Sequence, residues 1–160
     1  RETNLGNAVA DALLDYGQSD FTHKSNLAVT NGGGLRETIA KDKPITKGDI
    51  IAVLPFGNSV AQIQVTGQNI YDMFVKSLGS ILQVDESGKN VFDENGQPLL
   101  EPSGGFLQVA GARVYYDTTL PTEKRILSID ILDPETGVYK PLNTTETYYL
   151  VTNDFLACWW

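Results

Sequence analysis

Cysteine, histidine and methionine occur once each among the 160 residues, as Cys158, His23 and Met73. A single cysteine excludes an internal disulfide, a state shared by cytosolic proteins and many secreted bacterial ones. His23 stands alone in a loop, where a histidine is ordinarily solvated, and nothing around it supports a Ser-His-Asp triad. The acidic residues are scattered, so no Asp/His cluster has metal-ligand spacing. Basic residues are also scarce, 12 Lys and Arg against 20 Asp and Glu, for a net charge of −8 and a pI near 4.5. That balance argues against a nucleic-acid partner, which calls for a basic face, but one local arginine still suffices for a small anion. No apolar run approaches the ~20 residues that span a bilayer. No signal peptide opens the chain, which starts on Arg1-Glu2-Thr3-Asn4, ends abruptly on Trp159-Trp160, and reads as beginning inside a longer protein. No internal repeat and no low-complexity tract are apparent.

What is present suits one compact domain over residues 1–160, with 41% apolar and 20% charged residues. Residues 4–16 place Leu5, Val9, Ala12, Leu13 and Tyr16 at helical spacing, with Thr3 or Asn4 to cap the start and Gly17 where a C-cap glycine belongs. Leu27-Ala28-Val29-Thr30 is a short apolar run, read as a buried strand. Thr46-Lys47-Gly48-Asp49 is a capping-box start for a short helix that Pro55 ends. Ala61, Ile63 and Val65 alternate with Gln62 and Gln64 as a half-buried strand. Thr66-Gly67 then opens a second amphipathic helix with Ile70, Met73, Phe74, Leu78 and Ile81 on one face. Residues 84–104 are rich in turn residues and read as a surface hairpin or loop insertion. Strands are expected at about 106–116, at 125–132 with Leu127, Ile129 and Ile131 facing in, and at 147–153. Asp133 to Gly137 forms a turn between two of them. Helices early and strands late predict an α+β domain, a mixed β-sheet with packed helices.

Three segments have the residue types for binding chemistry. In Asn31-Gly32-Gly33-Gly34-Leu35-Arg36, three glycines between a strand and an expected helix let a ligand approach the backbone, and the helix start would offer free N–H groups. Arg36 supplies a forked charge suited to phosphate or ribose oxygens, and Asn31 both a donor and an acceptor. The spacing is neither that of a P-loop nor GxGxxG, and a flexible strand-to-helix turn with a solvated arginine accounts for it equally well. In Leu54-Pro55-Phe56-Gly57-Asn58, proline and glycine hold a phenylalanine on a rigid loop, where an exposed ring can stack on a base; on local evidence a core Phe56 is the simpler reading. Thr152-Asn153-Asp154-Phe155-Leu156-Ala157 reads by itself as a strand end with a buried Phe. Asn143-Thr144-Thr145 fits a glycosylation sequon.

The order of these segments carries more than any one of them. Thr3-Asn4-Leu5-Gly6-Asn7, Asn31 to Arg36, Leu54 to Asn58, Val65-Thr66-Gly67, Phe106-Leu107-Gln108-Val109-Ala110-Gly111 before Tyr116-Asp117, and Asn153 to Ala157 follow one another over nearly the whole chain. The set closely resembles the C-terminal, substrate-binding domain of the 5'-nucleotidase and UDP-sugar hydrolase family. The resemblance implies that this domain binds the nucleoside part of a nucleotide, while a separate N-terminal metallophosphatase domain with two divalent metal ions and an Asp/His pair does the chemistry after a hinge motion. Position by position, Phe56 and Phe155 resemble the two rings that sandwich the base. Asn31 and Asn58 resemble polar base-side contacts, Arg36 an arginine on the ribose-phosphate side, and Gly33 and Gly34 fall in the glycine turn beside them. A further family arginine would fall upstream of residue 1, and Arg1 is out of register with it. The family's glycine pair and ribose-binding aspartate are replaced by Cys158-Trp159-Trp160. The resemblance implies no catalytic or metal-ligating residue in this segment, which by itself should be inactive, no cofactor of its own, and an extracytoplasmic setting: secreted, periplasmic or attached to the cell wall. The alternative is a surface interaction module whose nucleotide site has decayed.

Overall fold

The computed structural model describes residues 2–158; Arg1, Trp159 and Trp160, about which the sequence raised expectations, lie outside the described residues. The chain is an α+β domain with helices packed on a mixed sheet. Helix α1 spans Asn4–Ser19, strand β1 Leu27–Asn31, helix α2 Lys47–Val53, strand β2 Val60–Thr66 and helix α3 Gly67–Ser77. Strands β3 (Leu107–Ala110), β4 (Ala112–Tyr116), β5 (Ile126–Leu132), β6 (Tyr139–Pro141) and β7 (Thr147–Asn153) follow, and a single helical turn, α4 (Asp154–Ala157), comes last. A four-stranded sheet runs β2-β7-β1-β3, with β1 parallel to β7 and its other pairs antiparallel; a second, antiparallel sheet runs β4-β5-β6.

Alternation along β1 and β7 sorts side chains between two faces of the larger sheet. Leu27, Val29 and Leu150 join Ile70, Met73 and Phe74 of α3 and Ile129 and Ile131 of β5 in the main core. Ala28, Ala110 and Val151 point the other way, onto Ala10 of α1. Small residues on both sides let α1 lie close. Its buried positions are Gly6, Ala10 and Gly17, so the seam falls beside the expected Leu5-Val9-Leu13-Tyr16 stripe, and Tyr16 is exposed. Gly17 is likewise inside the helix and not its cap: a Cβ there would meet Ser25 Oγ at 2.6 Å. The helix runs on to Ser19 because the cap is Asp20, whose N–H donates to the Tyr16 carbonyl.

Local signals govern the starts of α2 and α3. Thr46 with Asp49, and Thr66 with Asn69, form capping boxes in which side chain and backbone satisfy each other in both directions. Ile70, Met73, Phe74 and Leu78 are buried as expected, but Ile81 lies beyond the helix and is exposed. The long strand expected at 106–116 is two strands. Gly111, at φ 73°, bends the chain so that β3 stays in the larger sheet and β4 begins the smaller one. Leu127 is also exposed, because the β4–β5 register slips between Tyr115 and Tyr116 and leaves Leu127 unpaired as a bulge.

Residues 83–106 contain a repeat, contrary to expectation. Gln83-Val84-Asp85-Glu86-Ser87-Gly88-Lys89-Asn90 is followed in step by Val91-Phe92-Asp93-Glu94-Asn95-Gly96-Gln97-Pro98 and Leu99-Leu100-Glu101-Pro102-Ser103-Gly104-Gly105-Phe106. An apolar residue, the acid that follows it and a glycine three residues later recur in all three units: Val84, Asp85 and Gly88; Phe92, Asp93 and Gly96; Leu100, Glu101 and Gly104. The backbone closes them into a ring: Gln83 N–H donates to Leu99 C=O, Leu99 N–H to Val91 C=O and Val91 N–H to Gln83 C=O, at 2.8 to 2.9 Å. Asp85 and Asp93 each accept two backbone N–H groups of their own turns, the usual role of Asp in such turns.

Candidate functional site

Strand directions bring the three flagged segments to one end of the larger sheet. β1 and β7 are parallel, so Asn31 and Asn153 end side by side; β2 is antiparallel to β7, so its first residue, Val60, pairs with Asn153. The Asp154 N–H donates to the Ser59 carbonyl at 2.9 Å and ties the 54–59 loop to the start of α4. Crevices outside the carboxyl ends of parallel strands are where open α/β sheets bind ligands.

The glycine turn is a single turn of 3₁₀ helix, Gly32–Gly34, and no α-helix follows it. Residues 35–40 are irregular, so the expected helix start and its free N–H groups are absent from the described residues. The turn is stitched to the third octapeptide: Gly32 N–H donates to Phe106 C=O at 2.8 Å, Gly33 N–H to Gly104 C=O at 2.9 Å, and the Asn31 amide to the same Gly104 oxygen at 3.2 Å. Arg36 is anchored by its N–H to the Val53 carbonyl of α2. Its guanidinium reaches back to the Gly33 carbonyl at 3.4 Å and lies 5.9 Å from the centroid of the Phe56 ring. Phe56 is 58% exposed and Phe155 54% exposed, so neither ring is a core residue.

A recess of about 150 Å³ lies here, walled by Thr30, Gly34, Leu54, Phe56, Asn58 and Asn153. Of the residues singled out in the sequence, Gly34, Phe56 and Asn58 line it, and Arg36 stands at the edge of the Phe56 ring. Asn31 is turned to Gly104, Gly33 lines a larger open groove of about 740 Å³ on the other side of the turn, and Phe155 projects from α4 outside the recess wall. Thr30, Leu54 and Asn153 were not singled out as contacts. The polar residue ending β7 is the signal that could have found Asn153, and Thr30 closes the apolar run that starts at Leu27, one residue before β1 ends on Asn31. The exposed face presents a flat ring, a guanidinium and amide groups, which suits a planar heterocycle with an anionic substituent. His23 stacks on Tyr149, ring centroids 4.3 Å apart and planes at 11°, and among the described residues its ring pairs with no nucleophile. Among the described residues no group of three His, Cys, Asp or Glu can hold a metal ion, and no helix is long and apolar enough to cross a membrane.

A profile of the family described as "5'-nucleotidase, C-terminal domain" matches residues 1–158. The chain belongs to that family. The domain is 33% identical over 98% of its length to the trifunctional nucleotide phosphoesterase YfkN of Bacillus subtilis, of which it covers 9%. It is 28% identical to the human 5'-nucleotidase, matching with 98% of its own length and covering 26% of that protein. Among solved structures, the 5'-nucleotidase precursor of Thermus thermophilus superposes with a TM-score of 0.74 at 32% identity, over 98% of the domain and 26% of that chain. The domain thus spans about a quarter or less of the length of these relatives.

Proposed function

We propose that this domain is the nucleoside-recognition part of a 5'-nucleotidase-type phosphoric monoester hydrolase. Residues 1–160 would form one unit of that protein, and residues 84–104 an insertion on its surface. The observation that carries the reading is the pairing of an exposed Phe56 ring with the Arg36 guanidinium, beside a recess lined by Gly34 and Asn58. On this reading Phe56 stacks on the base, and Phe155, at the same end of the sheet, supplies the opposing ring once a base is present. Arg36 meets the ribose-phosphate side, while Asn31, Gly33, Gly34 and Asn58 shape the base edge. Two divalent metal ions and the hydrolytic chemistry belong to an N-terminal metallophosphatase domain of the same polypeptide, and this domain alone hydrolyses nothing. The full protein works outside the cytoplasm, on an AMP-like substrate.

The test is a two-dimensional NMR titration of the chain with adenosine and then AMP, repeated on Phe56→Ala. Saturable shifts at residues 31–36 and 54–58, with a dissociation constant of about 1 mM and lost in the variant, are expected. Unchanged spectra at saturating ligand, or binding indifferent to Phe56→Ala, would contradict the reading. Phosphatase activity of the pure chain would contradict the division of labour.

A further inference from the structure

Strand β4 is an edge. Among the described residues it pairs with β5 alone, in the order β4-β5-β6. The Leu132 N–H meets the Gly111 carbonyl and the Asp117 N–H meets the Arg125 carbonyl. Odd-numbered residues therefore bond toward β5, and alternation turns the main-chain groups of Ala112, Val114 and Tyr116 to the open side. Natural edges are commonly blunted by proline, by lysine or by a covering element; Ala112-Arg113-Val114-Tyr115-Tyr116 contains neither residue.

What lies along this edge is a cleft of about 320 Å³, floored by Leu78, Phe106, Leu107 and Val109, with Glu2 on its rim. A second recess of about 180 Å³ adjoins it, shares Phe106 and Tyr116, and brings in Asp93 and Glu101. Tyr115 and Tyr116, neighbours on the strand at the register slip, are 51% and 42% exposed. The end of the trough is electronegative: burial, then the charges of Glu2 and Asp93, push the Tyr116 phenol above its ordinary range. Arg113 also borders the cleft, but its guanidinium lies 3.9 Å over the Tyr139 ring. None of these residues belongs to the recess beside Phe56.

We propose that the open edge of β4 is a docking site for an extended, basic segment of another polypeptide. The segment adds as a strand beside Ala112–Tyr116, lays alternate apolar side chains on the Leu107–Val109 floor, and sets a Lys or Arg among Glu2, Asp93 and the Tyr116 ring. Main-chain bonds along the edge supply affinity, and the carboxylates and ring select the charge. Charge decides against a second copy of this chain, which at a net −8 would bring like charges together.

The probe is the synthetic peptide acetyl-Val-Thr-Val-Lys-Val-Lys-amide, added to the chain and followed by NMR and amide hydrogen exchange. Saturable shifts at residues 112–116 and exchange slowed at the Ala112, Val114 and Tyr116 amides are expected. The same peptide with Glu in place of Lys, or with its backbone N-methylated, should not bind. Glu2→Gln combined with Asp93→Asn keeps the side-chain oxygens that accept from Asn7, Asn95 and Gln97, and should weaken binding roughly tenfold without unfolding. Three results would each overturn the proposal: slow exchange at those three amides in the free chain, equal affinity for the Lys and Glu peptides, or a dimer of the free chain in sedimentation that Val114→Pro converts to monomer.

Discussion

Gly33 and Gly104 pack backbone against backbone: the Gly33 N–H donates to the Gly104 carbonyl at 2.9 Å, and a Cβ on Gly33 would stand 3.2 Å from the Gly104 Cα. The glycine has a packing role of its own, apart from any ligand. Gly33→Ala should therefore lose roughly 1–2 kcal/mol in urea unfolding, because the crowded neighbour is main chain and cannot swing aside. Gly104→Ala, whose Cβ would sit at an ordinary 3.5 Å from the Gly33 Cα, should be close to neutral. Equal losses would show that the contact is not the cause.

Arg125 is 6% exposed and makes no ion pair among the described residues. Its guanidinium instead donates to the carbonyls of Leu120, at 3.1 Å, of Ser80, at 2.6 Å, and of Leu78 at the end of α3. Arg125→Met leaves those acceptors dry and should cost roughly 3 kcal/mol. Arg125→Lys should cost nearly as much, since a single ammonium cannot reproduce the fork. Thermal unfolding checks both, and added salt should leave the losses unchanged.

The Asp133 carboxylate takes the Lys140 ammonium at 2.6 Å and the Glu135 N–H at 2.9 Å, and these bonds hold its pKa down to about 2 from 3.8. A carboxyl whose pKa is lower in the folded chain stabilises fully above the unfolded value, and the contribution fades as pH falls through the folded one. Stability should decline between pH values of about 4 and 2, and Asp133→Asn should flatten that part of the curve. An unchanged curve would show that other carboxylates govern the acid limb.

Gly88 and Gly96 occupy equivalent positions in two octapeptides, at φ 78° and 76°, with open space where a Cβ would go. Substituting alanine at either costs only the left-handed backbone, about 1 kcal/mol. The two losses should match within error in chemical denaturation, and a large difference would argue against equivalence of the units.

If Arg36 meets the phosphate side of a nucleotide, Arg36→Ala should lower AMP affinity roughly tenfold and adenosine affinity much less. Equal losses for both ligands would assign Arg36 to positioning the Phe56 ring. The titration described for Phe56→Ala measures both.

The parts of the fold that were legible in the sequence are those with local causes. Thr46 announces its helix through a capping box, the helix after Thr66-Gly67 shows in its apolar face, and β1, β2, β5 and β7 show in apolar runs or alternation. What was not legible depends on distant partners. Gly17 looked like a helix end because its reason for being glycine is Ser25, across the layer boundary. Gly111 closes one of the segments that carry the resemblance, but nothing local marks it as the break that divides residues 106–116 between two sheets. β6, three residues long, exists only because β5 offers it an edge. At the candidate site, order along the chain drew attention to Phe56, Asn58 and Arg36, and the fold places Phe56 and Asn58 on one recess wall with Arg36 beside the Phe56 ring. The turning of Asn31 toward Gly104 follows from the third octapeptide, whose repeat is too degenerate to read from composition.

The ring of octapeptides also bears on how the chain folds. Its entry and exit are joined, the Glu101 N–H donating to the Ile81 carbonyl at 2.8 Å, and its internal bonds link residues eight to sixteen apart. Some twenty residues therefore close by short steps, each entropically cheap, and add little to the mean sequence separation that slows folding. The pairing of β1 with β7, more than a hundred residues apart at Leu27 and Leu150, is the long-range closure expected to be slow. Formed early, the ring would present the Gly104 carbonyl before the glycine turn arrives to meet it.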